Sequence, residues 1–208
     1  MPIKPRSDGG TRGADAIHAP VDEVVLMGRV AAEQIDAFEL LYRLYHPRLV
    51  RFLEGMTRRP ALVEEILDDT MLVVWRRAHT YMPTAKVSTW IFGIAYRQAL
   101  KALRRVDDAV EFRAVDEPAD GVAAGSDDSR ASPDDALQQQ QLRIQLGRAL
   151  DALSAEHRAV IEMTYYLGYA CRDVAQIMDC PVDTVKTRMF YARRRLRALL
   201  GPRREEAL

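Results

Sequence analysis

The sequence predicts an all-α protein built as two small helical domains joined by a flexible acidic linker. Three observations predict it. Alternation of apolar and polar residues never persists, whereas runs such as VLMGRVAAEQIDAFELLYRLY keep the 3.6-residue period of a helix with one buried stripe. Two blocks, residues 22–105 and 137–200, are dense in apolar and aromatic residues at that spacing. Between them, residues 106–136 are acidic and rich in Pro, Gly, Ser and Ala, a composition that buries too little apolar surface to offset the entropy of ordering. Residues 1–21 and 201–208 are expected to be tails. A chain of 208 residues, 48% hydrophobic, suffices for one medium core or two small ones.

In the first block, Pro60 stands at a plausible first helical position before ALVEEILDDTMLVVWRRAHTY. Val63, Ile66, Leu67, Thr70 and Val74 fall on one face, and Glu64, Glu65, Asp68 and Asp69 on another. Like charges at i and i+4 repel, so the acid face points to a basic partner; the dipole at the helix start also favours acids there. A polar loop with Pro83 and Lys86 follows. Ser88 is a candidate cap for the next helix, which should carry Trp90, Ile91, Ile94, Leu100 and Leu103 inward and Phe92, Tyr96, Arg97, Lys101, Arg104 and Arg105 outward. Aromatics interleaved with cations suit unstacked single-stranded bases, because rings stack and cations hold phosphate.

In the second block, Leu150, Leu153, Val160, Ile161 and Tyr165 can supply the apolar faces of two helices. GYACRDVAQIMDCPVDTVKTRMF then gives a short helix, a tight turn and a longer basic helix. Ala175 is small where two helices must approach, Asp179 can take the left-handed turn conformation, and Pro181 begins the next helix. This is helix-turn-helix spacing. In the last helix Val182, Val185, Met189, Ala192, Leu196 and Leu199 form the buried stripe. Thr184, Lys186, Thr187, Arg188, Phe190, Tyr191, Arg193, Arg194, Arg195 and Arg197 remain on its polar face. Its N-terminal part would enter a major groove, with Thr184, Lys186, Thr187, Arg188 and Phe190 at base edges and phosphates and Arg193–Arg197 along the backbone.

The net charge of zero hides a segregation of sign. Residues 182–204 carry eight cations against Asp183, net +7, and residues 106–135 carry ten acids against Arg113 and Arg130, net −8. Residues 1–20 lack the apolar run of a signal peptide and no 18-residue apolar span follows, so a cytoplasmic chain without a membrane span is expected. Cys171 and Cys180 are too few for a disulfide scaffold, and on a largely helical path their Cα atoms lie roughly 13 Å apart. The four histidines show no ligand spacing, and no nucleophile elbow, P-loop or glycine fingerprint is present. Neither an enzyme, a metal site nor a cofactor is expected.

Taken in order, these segments resemble the extracytoplasmic-function class of bacterial RNA polymerase sigma factors. DAFELLYRLYHPRLVRFL, VEEILDDTMLVVW and STWIFGIAYRQALKALRR are similar to that family's second conserved region, and LSAEHRAVIEMTYYLGYACRDVAQIMDCPVDTVKTRMFYARRRLR to its fourth. The resemblance implies that Glu64, Glu65, Asp68 and Asp69 dock on the clamp helices of the polymerase's largest subunit. It implies that residues 80–87 with Trp90, Phe92, Tyr96 and Arg97, supported by Lys101, Arg104 and Arg105, capture the melted −10 element. Thr184, Lys186, Thr187, Arg188, Phe190, Tyr191 and Arg194 would read the −35 element as duplex. The polymerase β flap, promoter DNA and an anti-sigma protein are the implied partners, with the linker threading polymerase channels. Arg97 stands where the family usually has Asn, Tyr96 where Arg is common, Lys101 where Asp is common and Tyr191 where Arg is frequent, so the promoter sequence does not carry over. Other readings are a helix-turn-helix regulator that plays no part in initiation and, given Tyr96, Arg97 and Tyr191, an interaction module that binds polymerase without recognising promoters.

Overall fold

The computed structural model describes residues 22–57, 59–113 and 133–201, and among them every regular element is helical. The chain runs α1 (Glu23–Ala31), α2 (Ile35–Thr57), α3 (Pro60–Arg77), a 3-10 turn (Ala78–Thr80), α4 (Val87–Arg113), α5 (Pro133–Asp151), α6 (Ala155–Ile161), a π-helical turn (Glu162–Tyr166), α7 (Cys171–Ile177) and α8 (Val182–Leu200). The all-α class is as expected. The predicted tails, apart from Gly201, and residues 114–132 of the linker lie outside the described residues. Helix α4 continues to Arg113 and α5 begins at Pro133, so helix enters both ends of the segment expected to be linker. Extending an existing helix costs far less than nucleating one, so acidic residues 106–113 remain helical.

Each element has a local cause. Asp22 caps α1 by accepting from the backbone amides of Val24 and Val25. Pro60 occupies the first turn of α3, and the five residues expected on its inner face are all buried. Ser154 caps α6 through the amide of His157. Asp179 closes the turn between α7 and α8 at φ 51°, the left-handed conformation expected of it. Ser88 does not cap α4: it lies inside the helix, buried, within hydrogen-bonding reach of the Tyr169 phenol. Pro181 serves as the N-cap of α8, with Val182 the first helical residue.

Helices α1–α4 pack around Met27, Leu41, Tyr45, Leu49, Phe52, Leu53, Met56, Ile66 and Ile91, all nearly or wholly inaccessible. Helices α6–α8 close around Val160, Met163, Val174, Ile177, Val185 and Ala192. The two assemblies are in contact. Helix α7 lies across α4, α6 abuts α2, and the buried residues of both form one continuous cluster. Two expected core positions are exceptions. Tyr165 is exposed, where the Arg193 guanidinium lies 5.3 Å from its ring centre, and Leu199 is exposed at the end of α8.

Candidate nucleic-acid interface

The acid face of α3 forms as the spacing requires. Glu64, Glu65, Asp68 and Asp69 are all exposed, opposite the buried row from Val63 to Val74. Glu65 accepts from Arg105 at 2.8 Å, a surface pair with half of each side chain in water. Glu64, Asp68 and Asp69 have no ion-pair partner among the described residues. Asp68 faces Tyr42, whose phenol is pushed up first by burial and then by that carboxylate.

From α3 the chain passes into a loop held by Tyr81, whose hydroxyl donates to the Ala85 carbonyl at 2.6 Å. Trp90 is half-buried with its ring edge-on to Tyr81, centroids 5.8 Å apart, so it packs against the loop rather than deep in the core. Lys86, Arg97, Lys101, Arg104 and Arg105 are exposed. Phe92 and Tyr96, expected on the same outward face, are buried to 0% and 5% exposure. The outward placement fails for both: Phe92 packs edge-on against Phe52 of α2 at 5.5 Å and against Tyr169 of the second helical unit at 5.4 Å, and Arg188, Glu156 and Cys180 act electrostatically on Tyr96. Burial pushes the Tyr96 phenol up to about 12, with Arg188 opposing and Glu156 adding to the shift.

Helix α8 behaves differently. Val185, Met189 and Ala192 are buried and fix it to α6 and α7, while Lys186, Thr187, Phe190, Tyr191 and Arg194 are exposed. Phe190 and Tyr191 stay 62% and 51% exposed with their rings edge to face at 5.5 Å, an apolar surface that none of the described residues covers. Thr184 and Arg188 are half-buried. Arg188 reaches inward, donating to the Cys180 sulfur at 3.8 Å. Among the described residues, Lys186 pairs only with Asp183, one turn away on the same helix. Cys171 and Cys180 are free thiols. A cavity of about 500 Å³ opens between α6 and α8, lined by His157, Tyr191, Arg194 and Arg195 among others. No group of residues able to hold a metal ion occurs among the described residues, and none of their helices is long and apolar enough to cross a membrane.

Several residues with defined roles escaped the sequence reading because their partners lie far along the chain. Arg158 donates to the Leu150, Asp151 and Leu153 carbonyls and also to Met56 at the end of α2, at 2.7 Å. Arg48 donates to the Tyr169 hydroxyl at 3.2 Å while lying near the Tyr45 and Phe92 rings. Lys86 pairs with Asp173 of α7 at 3.0 Å. Gly55 and Gly93, small residues on otherwise bulky helices, were the available signal of a close approach.

Comparison with known proteins places this geometry. Residues 41–108 match the family model for Sigma-70 region 2, and residues 143–196 that for Sigma-70, region 4. The chain is 32% identical over 178 residues to the ECF RNA polymerase sigma factor RpoE of Cereibacter sphaeroides, a match covering 85% of this chain and 93% of that one. It is 30% identical over 175 residues to the ECF RNA polymerase sigma factor SigL of Mycobacterium tuberculosis, covering 82% and 92% respectively. Two solved structures share the fold. The sigma factor RpoE of Bartonella quintana, co-crystallised with the anti-sigma factor NepR, aligns with TM-score 0.61 at 24% identity over 82% of this chain and 100% of that one. CnrH, in complex with the cytosolic domain of CnrY, aligns with TM-score 0.60 at 19% identity over 85% and 96%. With both conserved regions matched in order and the relatives spanned almost end to end, the chain belongs to the extracytoplasmic-function class of RNA polymerase sigma factors in the sigma-70 family.

Proposed function

We propose that this chain recruits core RNA polymerase to the promoters of a specific regulon and assists their melting, gripping one assembly at three places. The carboxylates of Glu64, Glu65, Asp68 and Asp69 dock on the clamp helices of the largest subunit. The loop before α4, with Lys86, Trp90, Phe92, Tyr96, Arg97, Lys101, Arg104 and Arg105, captures the melted −10 strand. Helix α8 enters the major groove at the −35 element through Thr184, Lys186, Thr187, Arg188, Phe190, Tyr191 and Arg194, and the second unit also meets the β flap. Residues 22–105 and 137–200 serve as the two binding domains.

The observation that carries this reading is the segregation of exposed charge. One helix face offers four carboxylates, three of them without an ion pair among the described residues. Helix α8 sets Lys186, Arg188, Arg193, Arg194, Arg195 and Arg197 against a single acid, Asp183. Each domain alone is expected to bind weakly, and polymerase fixes their separation so that the second contact becomes intramolecular. Melting costs a few kcal/mol per unstacked base step, about what aromatic capture of extruded bases returns. No bond-making chemistry is asked of the chain; nucleotide addition belongs to the polymerase. An anti-sigma protein is a further expected partner, by analogy with NepR on the Bartonella relative.

Reversing charge with Asp68→Lys and Asp69→Lys tests the docking step. Both residues are exposed, so helix content and melting temperature should hold, while association with core polymerase falls by at least about a hundredfold, as expected for several interfacial charge pairs made repulsive. Unchanged co-elution with core polymerase on gel filtration would refute the docking assignment. A helix-turn-helix regulator would instead bind promoter duplex equally well with and without polymerase.

A further inference from the structure

The second half of α8 and the start of α6 leave a cleft of about 500 Å³ between them, a size within the range of about 300–1,000 Å³ that small-molecule sites occupy. Its lining is of three kinds. Ala152, Leu153 and Ala198 supply apolar surface, Tyr191 and His157 supply two rings, and Arg194 and Arg195 supply two guanidiniums. We propose that this cleft binds a nucleoside polyphosphate, and that a nucleotide seated there keeps α8 off duplex DNA. The effect on DNA rests on the reading of α8 as the −35 helix given above; the site itself does not.

Charge sets the first requirement on the ligand. No carboxylate lines the cleft. Asp151 and Glu156, close by in the sequence, are drawn elsewhere: Asp151 lies 3.9 Å from the Arg158 guanidinium, and Glu156 acts on Tyr96. Arg194 and Arg195 are exposed, and neither has an ion-pair partner among the described residues. Two guanidiniums with no acid between them select a multiply charged anion, because each planar fork can hold two phosphate oxygens. His157 adds a ring nitrogen. Its Nδ1 lies 3.1 Å from the Ser154 hydroxyl, the same oxygen that accepts from the His157 amide to cap α6, so the ring is anchored and Nε2 is left for a ligand. The wall is also set before anything binds, since Arg158 donates to the Leu150, Asp151 and Leu153 carbonyls and fixes the turn into α6.

The rings and the apolar surface set the second requirement. A phosphodiester of duplex DNA would satisfy the arginines but bring no free ring, because its bases stay stacked and paired, and the apolar part of the cleft would go unused. A nucleoside polyphosphate brings both parts. Its base can stack on an aromatic face whatever the base's identity, while its phosphates reach the guanidiniums. Tyr191 and Arg194 line the cleft and also belong to the −35 surface, so nucleotide and promoter duplex compete for the same two side chains. The consequence is a DNA-reading helix that is withdrawn by mass action as nucleotide concentration rises.

His157→Ala and Ala198→Trp, each in the full chain, test the site in two ways, the first removing a ring and the second filling the cleft. Neither residue belongs to the assigned DNA or polymerase surfaces, and neither is buried, so circular dichroism should show both variants folded; each serves if the other fails that control. Calorimetry reads the binding of ATP and GTP, with inorganic triphosphate as the probe that lacks a ring. Anisotropy reads affinity for a labelled promoter duplex with and without nucleotide, at constant ionic strength. The expected result is one site in the wild type that takes ATP or GTP at least about tenfold more tightly than triphosphate, and at least about a tenfold loss in each variant. Nucleotide at about ten times its wild-type dissociation constant should weaken duplex binding about elevenfold in the wild type and about twofold or less in the variants. No binding of either nucleotide, equal binding of triphosphate, or variants that bind nucleotide as the wild type does would overturn the site. Nucleotide that binds without displacing duplex would overturn its control of α8. A wild type that fails to bind duplex even without nucleotide would overturn the −35 reading and that control with it, while the calorimetry still decides the site.

Discussion

Helices α4 and α8 carry the same mixture of aromatics and cations, yet the fold treats them in opposite ways. On α8, Phe190 and Tyr191 stand in water beside arginines, while Val185, Met189 and Ala192, flanked by Val182 and Leu196, hold the helix down. On α4, Phe92 and Tyr96 are enclosed between two helical units while the cations at the far end of the face stay outside. The difference teaches that an aromatic-cationic stripe read from the sequence says nothing of whether its rings are exposed. Exposure is set by what a remote part of the chain packs against it.

Substitutions at matched positions sharpen that contrast, the largest effect coming from Phe92→Ala. Its ring is wholly buried between Phe52 and Tyr169, so truncation should destabilise the folded chain by about 3–5 kcal/mol. A denaturant titration that found less than about 1 kcal/mol would contradict the packing described. Smaller by a factor of two or more is the expected effect of Lys186→Ala or Arg194→Ala on promoter duplex binding, about 1–2 kcal/mol each. If these side chains hold phosphates, each loss should also lower the salt slope of binding by about one. Phe190→Ala inverts the Phe92 result: stability should shift by no more than about 0.5 kcal/mol, since the ring is 62% exposed, while duplex affinity falls. Calorimetry and anisotropy on the same preparation would separate the two.

The smallest effect concerns pH. Tyr96 titrates near 12 when covered, against an ordinary value of 10.0, because burial disfavours the phenolate; Glu156 and Cys180 add to the shift and Arg188 and Arg104 oppose it. A group whose pKa is raised by packing contributes stability that is fully present below its ordinary value and is lost as pH climbs through the raised one. The covered arrangement should therefore weaken between about pH 10 and 12, and Tyr96→Phe should remove that group's share. Tyr45 and Tyr169 are shifted in the same direction, so a loosening that persists in the variant belongs to them. Scattering measured across that pH range decides it.

The elements that depend on short-range physics were legible from residues alone. The buried row of α3 and the acid row beside it follow from a 3.6-residue period, and the φ of Asp179 follows from a turn that must reverse direction within a few residues. What escaped was long-range. Ser88 has the chemistry of a cap, but its hydroxyl meets a phenol eighty-one positions away in the chain. Tyr165 fits an apolar stripe, yet the π-helical turn of Glu162–Tyr166 rotates it out to solvent, where Arg193 lies against its ring. Acidic composition marked residue 106 as the end of regular structure, yet helix α4 continues to Arg113. Each miss is a case where a local rule was right about the residue and silent about its neighbour.

The central claim is that an acidic surface on α3 and a basic one on α8 engage a single polymerase-promoter complex. Transcription from a cognate promoter with purified bacterial core polymerase tests it most directly. The account predicts run-off product only when polymerase and this chain are both present, and none with the Asp68→Lys and Asp69→Lys variant. Absence of product from every template tried with the wild-type chain, or product undiminished by that double reversal, would contradict it.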